Sequence, residues 1–461
     1  MSLKSTLESS DNIQYELYLT GLTEDTVRKI SAQQEEPEWM LTHRLKSLEI
    51  FRNHKLPTRG PNISELNLDD IVYYAKPHKD HEWYANNRED VPAEIKDKFQ
   101  RLGIPEAEQK YLAGAGGQYD SLNIYHQIKE KRSKQGIIFE DMPQAVIKYP
   151  QLVQKYFMKL VPASDHIFAS LHGAVWSWGT FIYVPKWVKL TDPLQAYFRM
   201  NTYAGGQFEH TMIIIEDEAE GSYIEGCSAP KFDKASLHAG LVEIFVWKNA
   251  KMKYSSVENW STNTYNLNTK RAVIEERGYM ERVNGNLWSC TTMLYPCSVL
   301  KGDYSKTDML GIAVAWQWQR QDTGFKAIHI GRHTSSNIVA KSISRKWGIN
   351  TYRWLVTIGK WADYATNNTQ CDALLFDDTS VSNTIPKIAS DNDTAIIAHE
   401  ASAGKINESE LFYLMARWLS KDKAISMIVN GFFSSVIKKL PMEYAGELNK
   451  LVELEMEWSI G

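Results

Sequence analysis

The sequence predicts a mainly β protein with helical segments at both ends, and three observations carry that expectation. Between about Ile167 and Leu375, short strand-like runs follow one another, among them Phe181-Ile182-Tyr183-Val184, Met212-Ile213-Ile214-Ile215, Leu241-Val242-Glu243-Ile244-Phe245-Val246 and Leu310-Gly311-Ile312-Ala313-Val314-Ala315. Gly, Asn, Asp and Pro punctuate these runs, and most are not separated by the helical segments of about 10–15 residues that a βαβ fold needs. The flanks have a different texture. Glu36-Pro37-Glu38-Trp39-Met40-Leu41 reads as a helix start, with proline and acidic residues in the first turn and Leu45, Leu48 and Phe51 continuing an apolar stripe. A second helical region is expected from about Ser121 to Tyr156, interrupted by Ile137-Ile138-Phe139. Near the C-terminus, Asn407 followed by Glu410 has capping-box spacing, with Leu411, Leu414, Met415 and Leu419 on one face. Ala424, Met427, Ile428, Phe432 and Val436 extend the stripe, and Pro441 marks a further helix start. Such stripes are ordinarily core; the bolder reading is a docking surface. The pattern alone leaves a sandwich, a large barrel and a solenoid open for the β body, since no clean repeat is visible.

Composition narrows the function classes. The 461 residues carry 52 basic and 56 acidic side chains, a net charge of −4, so no basic face for nucleic acid is indicated. No apolar stretch approaches the roughly 20 residues that span a bilayer, and the polar start Met1–Asn12 has no signal-peptide core. Four cysteines in this length do not make a disulfide framework, so a reducing, cytoplasmic setting is expected.

Familiar catalytic motifs fail on inspection. Gly114-Ala115-Gly116-Gly117 has neither the third glycine of a dinucleotide fingerprint nor the lysine of a phosphate loop. His399-Glu400 opens like a zinc-protease motif, but the position four residues past His399 is Ala403. Cys227, Cys290, Cys297 and Cys371 form no zinc-knuckle spacing and, taken singly, read as buried thiols. Cys227 is the exception. In Glu225-Gly226-Cys227-Ser228-Ala229-Pro230 it falls between a strand and a turn, where a thiol is presented, and thiolates are soft nucleophiles and iron ligands. His399 and Glu400 could add nitrogen and oxygen ligands, although such a pair is more often a solvated strand end.

Several blocks, taken together, closely resemble one family. Glu36-Pro37-Glu38-Trp39-Met40-Leu41, Gly179-Thr180-Phe181-Ile182-Tyr183-Val184-Pro185-Lys186, Ser222-Tyr223-Ile224-Glu225-Gly226-Cys227-Ser228-Ala229-Pro230, Gln370-Cys371-Asp372 and Ala424-Ile425-Ser426-Met427-Ile428-Val429-Asn430-Gly431-Phe432 resemble SufB, the scaffold subunits of the SUF iron–sulfur cluster assembly machinery. The resemblance implies a right-handed parallel β-helix at 161–395, an N-terminal helical and irregular region at 1–160, and a C-terminal helical module at 396–461 that docks the SufC ATPase. Expected partners are SufC, SufD or a second copy of the chain, and a cysteine desulfurase or sulfur-transfer protein. The expected cargo is a transient [4Fe-4S] or [2Fe-2S] cluster, with FADH2 as a further expected cofactor of the complex.

The resemblance also assigns roles. Cys227 matches the persulfide acceptor. Arg199, Asn201, Trp260 and Lys270 match residues lining a sulfur path through the β-helix, and Glu258 stands where many members carry Gln. His399 and Glu400 match the acceptor-side pair where a cluster forms. Ser380 replaces a cysteine found in one branch, and a hydroxyl is a poor iron ligand beside a thiolate. Cys371 is a nearby candidate in sequence. The expected role is therefore a non-catalytic scaffold. The rivals are a SufD-like structural paralogue and a β-solenoid carbohydrate-active enzyme, whose clustered carboxylates on an exposed sheet have no counterpart here.

One compositional feature is anomalous: 15 Trp against only 26 Gly. The resemblance places glycine where this chain has Trp178, Trp187, Trp288, Trp316, Trp318, Trp347, Trp354, Trp361, Trp418 and Trp458, whereas Trp39, Trp176 and Trp260 are shared. Ten independent Gly-to-Trp changes are physically implausible where turns need positive φ or backbones meet closely. Reading of UGA as glycine in the source organism accounts for them together, and strained or protruding indoles are then expected at these sites.

Overall fold

The computed structural model describes residues 15–77, 114–119, 122–128, 130–190 and 192–439. Its body is a parallel β-solenoid. Eight strands, Leu194–Arg199, Glu220–Ser228, Lys251–Asn259, Tyr279–Leu287, Lys306–Ala315, Ser335–Ser344, Thr366–Leu375 and Ile396–Lys405, stack parallel into one long sheet. Register partners Tyr223, Tyr254, Arg282, Met309, Ile338, Thr369 and His399 set each coil at 27–31 residues. This variation in coil length, with no conserved side chain at each level, is why no repeat shows in the sequence.

The opposite wall is built from two short strands per coil, such as Ser236–His238 with Leu241–Val246 and Arg320–Thr323 with Lys326–His329. Ile349–Ile358 then pairs with both Arg320–Thr323 and Lys326–His329, so the coil loses a corner there. At that last corner a Cβ on Gly324 would lie 1.7 Å from the Arg353 carbonyl oxygen, so no larger residue fits where the coils meet.

One corner is held by a backbone ladder. Trp187, Glu218, Asn249, Arg277, Tyr304, His333 and Tyr364 all have positive φ. From Trp187 to His333, each donates its N–H to the carbonyl one residue before the next member (Asp217, Lys248, Glu276, Asp303, Arg332, Asp363) at 2.7–3.1 Å. Tyr304, His333 and Tyr364 stack their rings along this edge at centroid distances of 4.8 and 5.0 Å.

The N-terminal helices Glu24–Gln33, Glu38–Asn53 and Ile167–Val175 pack on the outside of the wall. Pro37 precedes the second helix as the sequence suggests. Arg44 fastens this layer: fully buried, it donates to both Glu36 carboxylate oxygens at 2.7 and 2.6 Å and to the Ala174 carbonyl at 3.1 Å, over the Trp176 ring.

Three local expectations are corrected. Leu122–Ile128, expected within a helical stretch, is a strand antiparallel to Gly114–Tyr119, which itself pairs with Leu194–Arg199. Ile396–Lys405, expected to open the C-terminal helical module, is the last strand of the long sheet. Its side chains are almost all exposed, so no apolar alternation marked it. Asn407 does cap the helix Glu408–Met415, accepting from Ser409 and Glu410 N–H, but that helix has no buried residue. Helix Lys421–Ile437 buries Ile425, Val429, Phe433 and Val436 against Val283, Leu310, Ile312 and Val314 on the outer face of the long sheet, with Ala424 also buried and Met427 exposed. The helix expected after Pro441 lies outside the described residues.

The tryptophans divide. Trp187, Trp288, Trp318, Trp347 and Trp418 have φ of 62–68°, the left-handed region, whereas Trp39, Trp176 and Trp260 do not. Trp187 and Trp418 are 73% and 98% exposed, and Trp318 and Trp347 stack on each other in solvent. Trp361 is also exposed, Trp178, Trp316 and Trp354 are buried, and Trp458 lies outside the described residues. A non-glycine residue at positive φ costs about 1 kcal/mol or more. Trp288→Gly, Trp318→Gly and Trp347→Gly are therefore each expected to raise unfolding free energy by about 1 kcal/mol, and jointly to raise the thermal midpoint by several degrees. Denaturant and thermal unfolding check this; unchanged or lower stability would contradict it.

Candidate functional site

Alternation along the strands decides which side chains enter the hollow of the solenoid. In Glu220–Ser228, Tyr223, Glu225 and Cys227 point inward, and Ile224 joins the outer core under helix Lys421–Ile437. Cys227 is thus not presented at a turn as its sequence neighbourhood suggests. Gly226, Cys227 and Ser228 continue the strand, paired to Val257, Glu258 and Asn259, and Cys227 is only 1% exposed.

Around it the hollow is charged. Lys270, from the opposite wall, donates to Glu258 Oε1 at 2.6 Å and to Ser256 Oγ at 2.9 Å, and lies 3.5 Å from Glu225 Oε1. Tyr254 Oη donates to Glu225 at 2.8 Å, and Asn266 Nδ2 donates to Glu258 Oε2 at 2.6 Å. With its amide nitrogen so engaged, Asn266 turns its Oδ1 to accept from His238 Nδ1 at 2.8 Å, while His238 Nε2 faces Glu209 Oε1. Both ring nitrogens therefore donate, which makes His238 an imidazolium. Trp260 packs on that ring at 4.2 Å between centroids.

The electrostatics follow from this wiring. Burial pushes the Cys227 thiol well above its ordinary range, and Glu225, Glu209 and Glu258 push it further, so at rest it is a thiol. Burial also raises the Glu225 carboxyl. Burial works against the charges on Glu258, Lys270 and His238, but their opposite-charge neighbours win, holding Glu258 below and Lys270 and His238 above their usual values.

Of the residues expected on the sulfur path, the structure gathers Glu258, Lys270 and Trp260 near Cys227. Arg199 and Asn201 are buried, but Arg199 pairs in register with Ser228, on the other face from Cys227, and its Nη1 donates to Ser228 Oγ at 3.2 Å. Glu209, Glu225, His238 and Asn266 were not singled out from sequence. Glu225 stands within the strand run Ser222-Tyr223-Ile224-Glu225, but Glu209, His238 and Asn266 carry no local signal.

Two inward rows connect this cluster to the last coil. One runs Glu225, Ser256, Asn284, Gly311, Ala340, Cys371, Ala401, and the other Cys227, Glu258, Asn286, Ala313, Ser342, Ala373, Ala403. From Gly311 and Ala313 onward the side chains in both rows are small. An internal cavity of about 30 Å³, room for about two waters, lies there among Asn284, Asn286, Ala313, Ala340, Tyr352 and Cys371. Asn284 Oδ1, Asn286 Oδ1 and Asn350 Oδ1 line it without a protein hydrogen-bond partner, so its wall is polar. Cys371 is buried beside it, its thiol pushed up to about 12 by burial and then by Asp372.

The acceptor-side residues do not converge. His399 and Glu400 lie within the exposed last strand rather than at its end, and adjacent strand residues face opposite sides. His399 caps the hollow over Trp354 at 4.8 Å between rings, whereas Glu400 pairs in register with Gln370 on the outer face. Ser380 sits in the preceding turn, donating to Asp377 Oδ1 at 2.9 Å. Among the described residues, the His, Cys and carboxylate groups whose ligand atoms do converge are Glu209, Cys227 and His238, all within 4.8 Å of one another.

Residues 198–432 match the SUF system FeS cluster assembly SufBD core domain, and residues 19–196 match the SufBD protein N-terminal region. The chain belongs to the SufBD family. An iron–sulfur cluster assembly SufBD family protein of Staphylococcus haemolyticus is 50% identical over 443 residues, covering 96% of this chain and 94% of that protein. One from Staphylococcus aureus strain MRSA252 is 50% identical over 441 residues with the same coverage. This SufBD chain is accordingly an iron–sulfur cluster assembly protein. No helix among its described residues is long and apolar enough to cross a membrane.

Breaking the buried pairs of this SufBD hollow has a calculable cost. Lys270→Met strands Glu258 and Glu225 without their cation and is expected to cost about 3–5 kcal/mol. Adding Glu258→Gln to Lys270→Met should restore part of that loss, with a coupling of at least about 1 kcal/mol. Denaturant unfolding of the two single variants and the double variant measures this, and strictly additive losses would contradict it.

Proposed function

We propose that this SufBD chain is the SufB-type scaffold, which receives sulfur at Cys227 and builds a nascent cluster at the exposed last coil. The observation that carries this reading is the position of Cys227 in an inward row that runs on to Ala403 in the exposed last strand. In the transfer step, the Cys227 thiolate attacks the terminal sulfur of a donor persulfide. The new S–S bond forms as the donor's S–S bond breaks, and the donor leaves as a thiolate. A buried thiol of raised pKa needs a local opening or a nearby base for this, so the resting state is a protected one.

The last coil supports a partner. Val381–Ser390 and Ile396–Lys405 are exposed and leave an edge on which SufD or a second copy of the chain can stack. Phe412, Tyr413 and Met415, exposed on helix Glu408–Met415, offer the SufC ATPase a surface. A cysteine desulfurase or sulfur-transfer protein is the donor, FADH2 the reductant of the complex, and the four free cysteines suit a cytoplasmic setting. The chain itself catalyses nothing on this reading, and the product is a [4Fe-4S] or [2Fe-2S] cluster.

Anaerobic reconstitution with iron, a cysteine desulfurase and cysteine, followed by absorption and Mössbauer spectroscopy, tests the assignment. Cys227→Ala should abolish cluster formation, and Glu400→Ala should lower cluster content while leaving persulfide on Cys227. Unchanged iron and sulfide content in both variants would remove the reading. A SufD-like structural role predicts that outcome.

We further propose that the ten anomalous tryptophans are glycine in the native protein, read from UGA. The five left-handed indoles support this. Sequencing the coding DNA decides it: UGA at these ten codons is the expected result, and UGG would end the idea.

A further inference from the structure

We propose that Glu209, Cys227 and His238 form a three-donor site for one thiophilic divalent cation inside the solenoid. The three donors come from two successive coils and from both walls of the solenoid, and they converge without any local motif. Glu209 precedes the strand His210–Ile215, His238 ends Ser236–His238 one coil further on, and Cys227 projects from the long sheet opposite. Their ligand atoms lie within 4.8 Å of one another, and all three residues are buried.

Glu209 Oε2 is the second, independent observation. It is a buried carboxylate oxygen with no hydrogen-bond donor, a costly arrangement that a cation would relieve. Space for this carboxylate is reserved. A Cβ on Gly240 would stand 2.1 Å from Glu209 Oε1, so only glycine at 240 lets the carboxylate lie where it does.

The donor set suits a soft or borderline ion. One thiolate, one imidazole and one carboxylate make a three-protein-ligand centre of the kind that leaves a fourth position open, as zinc and ferrous sites do. The surroundings match those of a ligating histidine, whose other ring nitrogen is fixed by an amide or carboxylate. His238 Nδ1 is held by Asn266, Asn266 by Glu258, and Glu258 by Lys270. Charge also balances. A divalent ion would displace the proton on His238 Nε2 and the thiol proton of Cys227, so two positive charges enter as two leave. On the reading that Cys227 accepts sulfur, the bound ion would be iron, and the first iron–thiolate bond would form in the hollow rather than at the last coil.

Cobalt(II) is the probe. The full-length chain, stripped with chelator and kept anaerobic, is expected to bind one Co²⁺ with a thiolate-to-cobalt charge-transfer band and tetrahedral d–d absorption. Cys227→Ser should abolish the charge-transfer band, and Gly240→Ala, which leaves all three donors present, should weaken binding at least tenfold. The double variant His399→Ala/Glu400→Ala should bind as wild type. A band that survives Cys227→Ser, or cobalt held without any thiolate band, would overturn the site. If Cys227→Ser or Gly240→Ala does not fold, as judged by circular dichroism, X-ray absorption of the wild-type complex decides. One sulfur with imidazole nitrogen in the first shell supports the site, and an oxygen-only or sulfur-only shell overturns it. Persulfidation of Cys227 in metal-free protein, read as the mass gain of one sulfur atom, is a separate measurement. Its failure with cobalt binding intact would remove the sulfur-acceptor reading and leave the cation site standing.

Discussion

Parallel strands from Leu194–Arg199 to Ile396–Lys405 stack in unbroken register, so each inward side chain stands over its partner in the neighbouring coil. All else in the molecule depends on this constraint. A closed coil has no room for a side chain chosen independently of the levels above and below, so chemistry inside it is organised in rows. The corner ladder from Trp187 to His333 reinforces the register by joining each coil to the next through one backbone hydrogen bond. A slip of one residue would turn Cys227 and Glu258 outward and bring Ile224 and Val257 into the charged interior.

Buried charge is the second organising fact. Glu209, Glu225, Glu258, Lys270 and His238 are all taken out of water, and each would be destabilising alone. They are tolerable together because every one has an opposite charge or a donor within reach, and because the walls around them are rigid. Such a network adds little to net stability compared with an apolar core of equal volume. Its retention in the middle of the solenoid therefore fits a role in handling a polar or charged species better than a role in holding the fold. The apolar parts of the same hollow, built on Met309, Phe325, Ile338, Trp354 and Val356, do the structural work at the other end.

Much of the fold was legible in the sequence. Apolar runs such as Met212-Ile213-Ile214-Ile215 located strands, and Pro37 and Asn407 located helix starts, because these signals are local. Three things were hidden for physical reasons. The solenoid could not be separated from a barrel or sandwich by pattern, since coils of 27–31 residues with different side chains leave no period to detect. Ile396–Lys405 is a strand exposed almost throughout, so the alternation that betrays a half-buried strand is missing there. Glu209 and His238 escaped notice because they come from the opposite wall, and their convergence on Cys227 is a property of register. The resemblance to a known family supplied Cys227, Glu258, Lys270 and Trp260, but it also supplied Arg199, which strand alternation places on the other face. It likewise supplied His399 and Glu400, which the last strand holds on opposite sides.

The hollow of the coil beyond Gly324 sets a limit on size. The space beside Cys371 has room for about two waters, which is too little for a finished iron–sulfur cluster. A group of that size can be accommodated only outside this part of the coil.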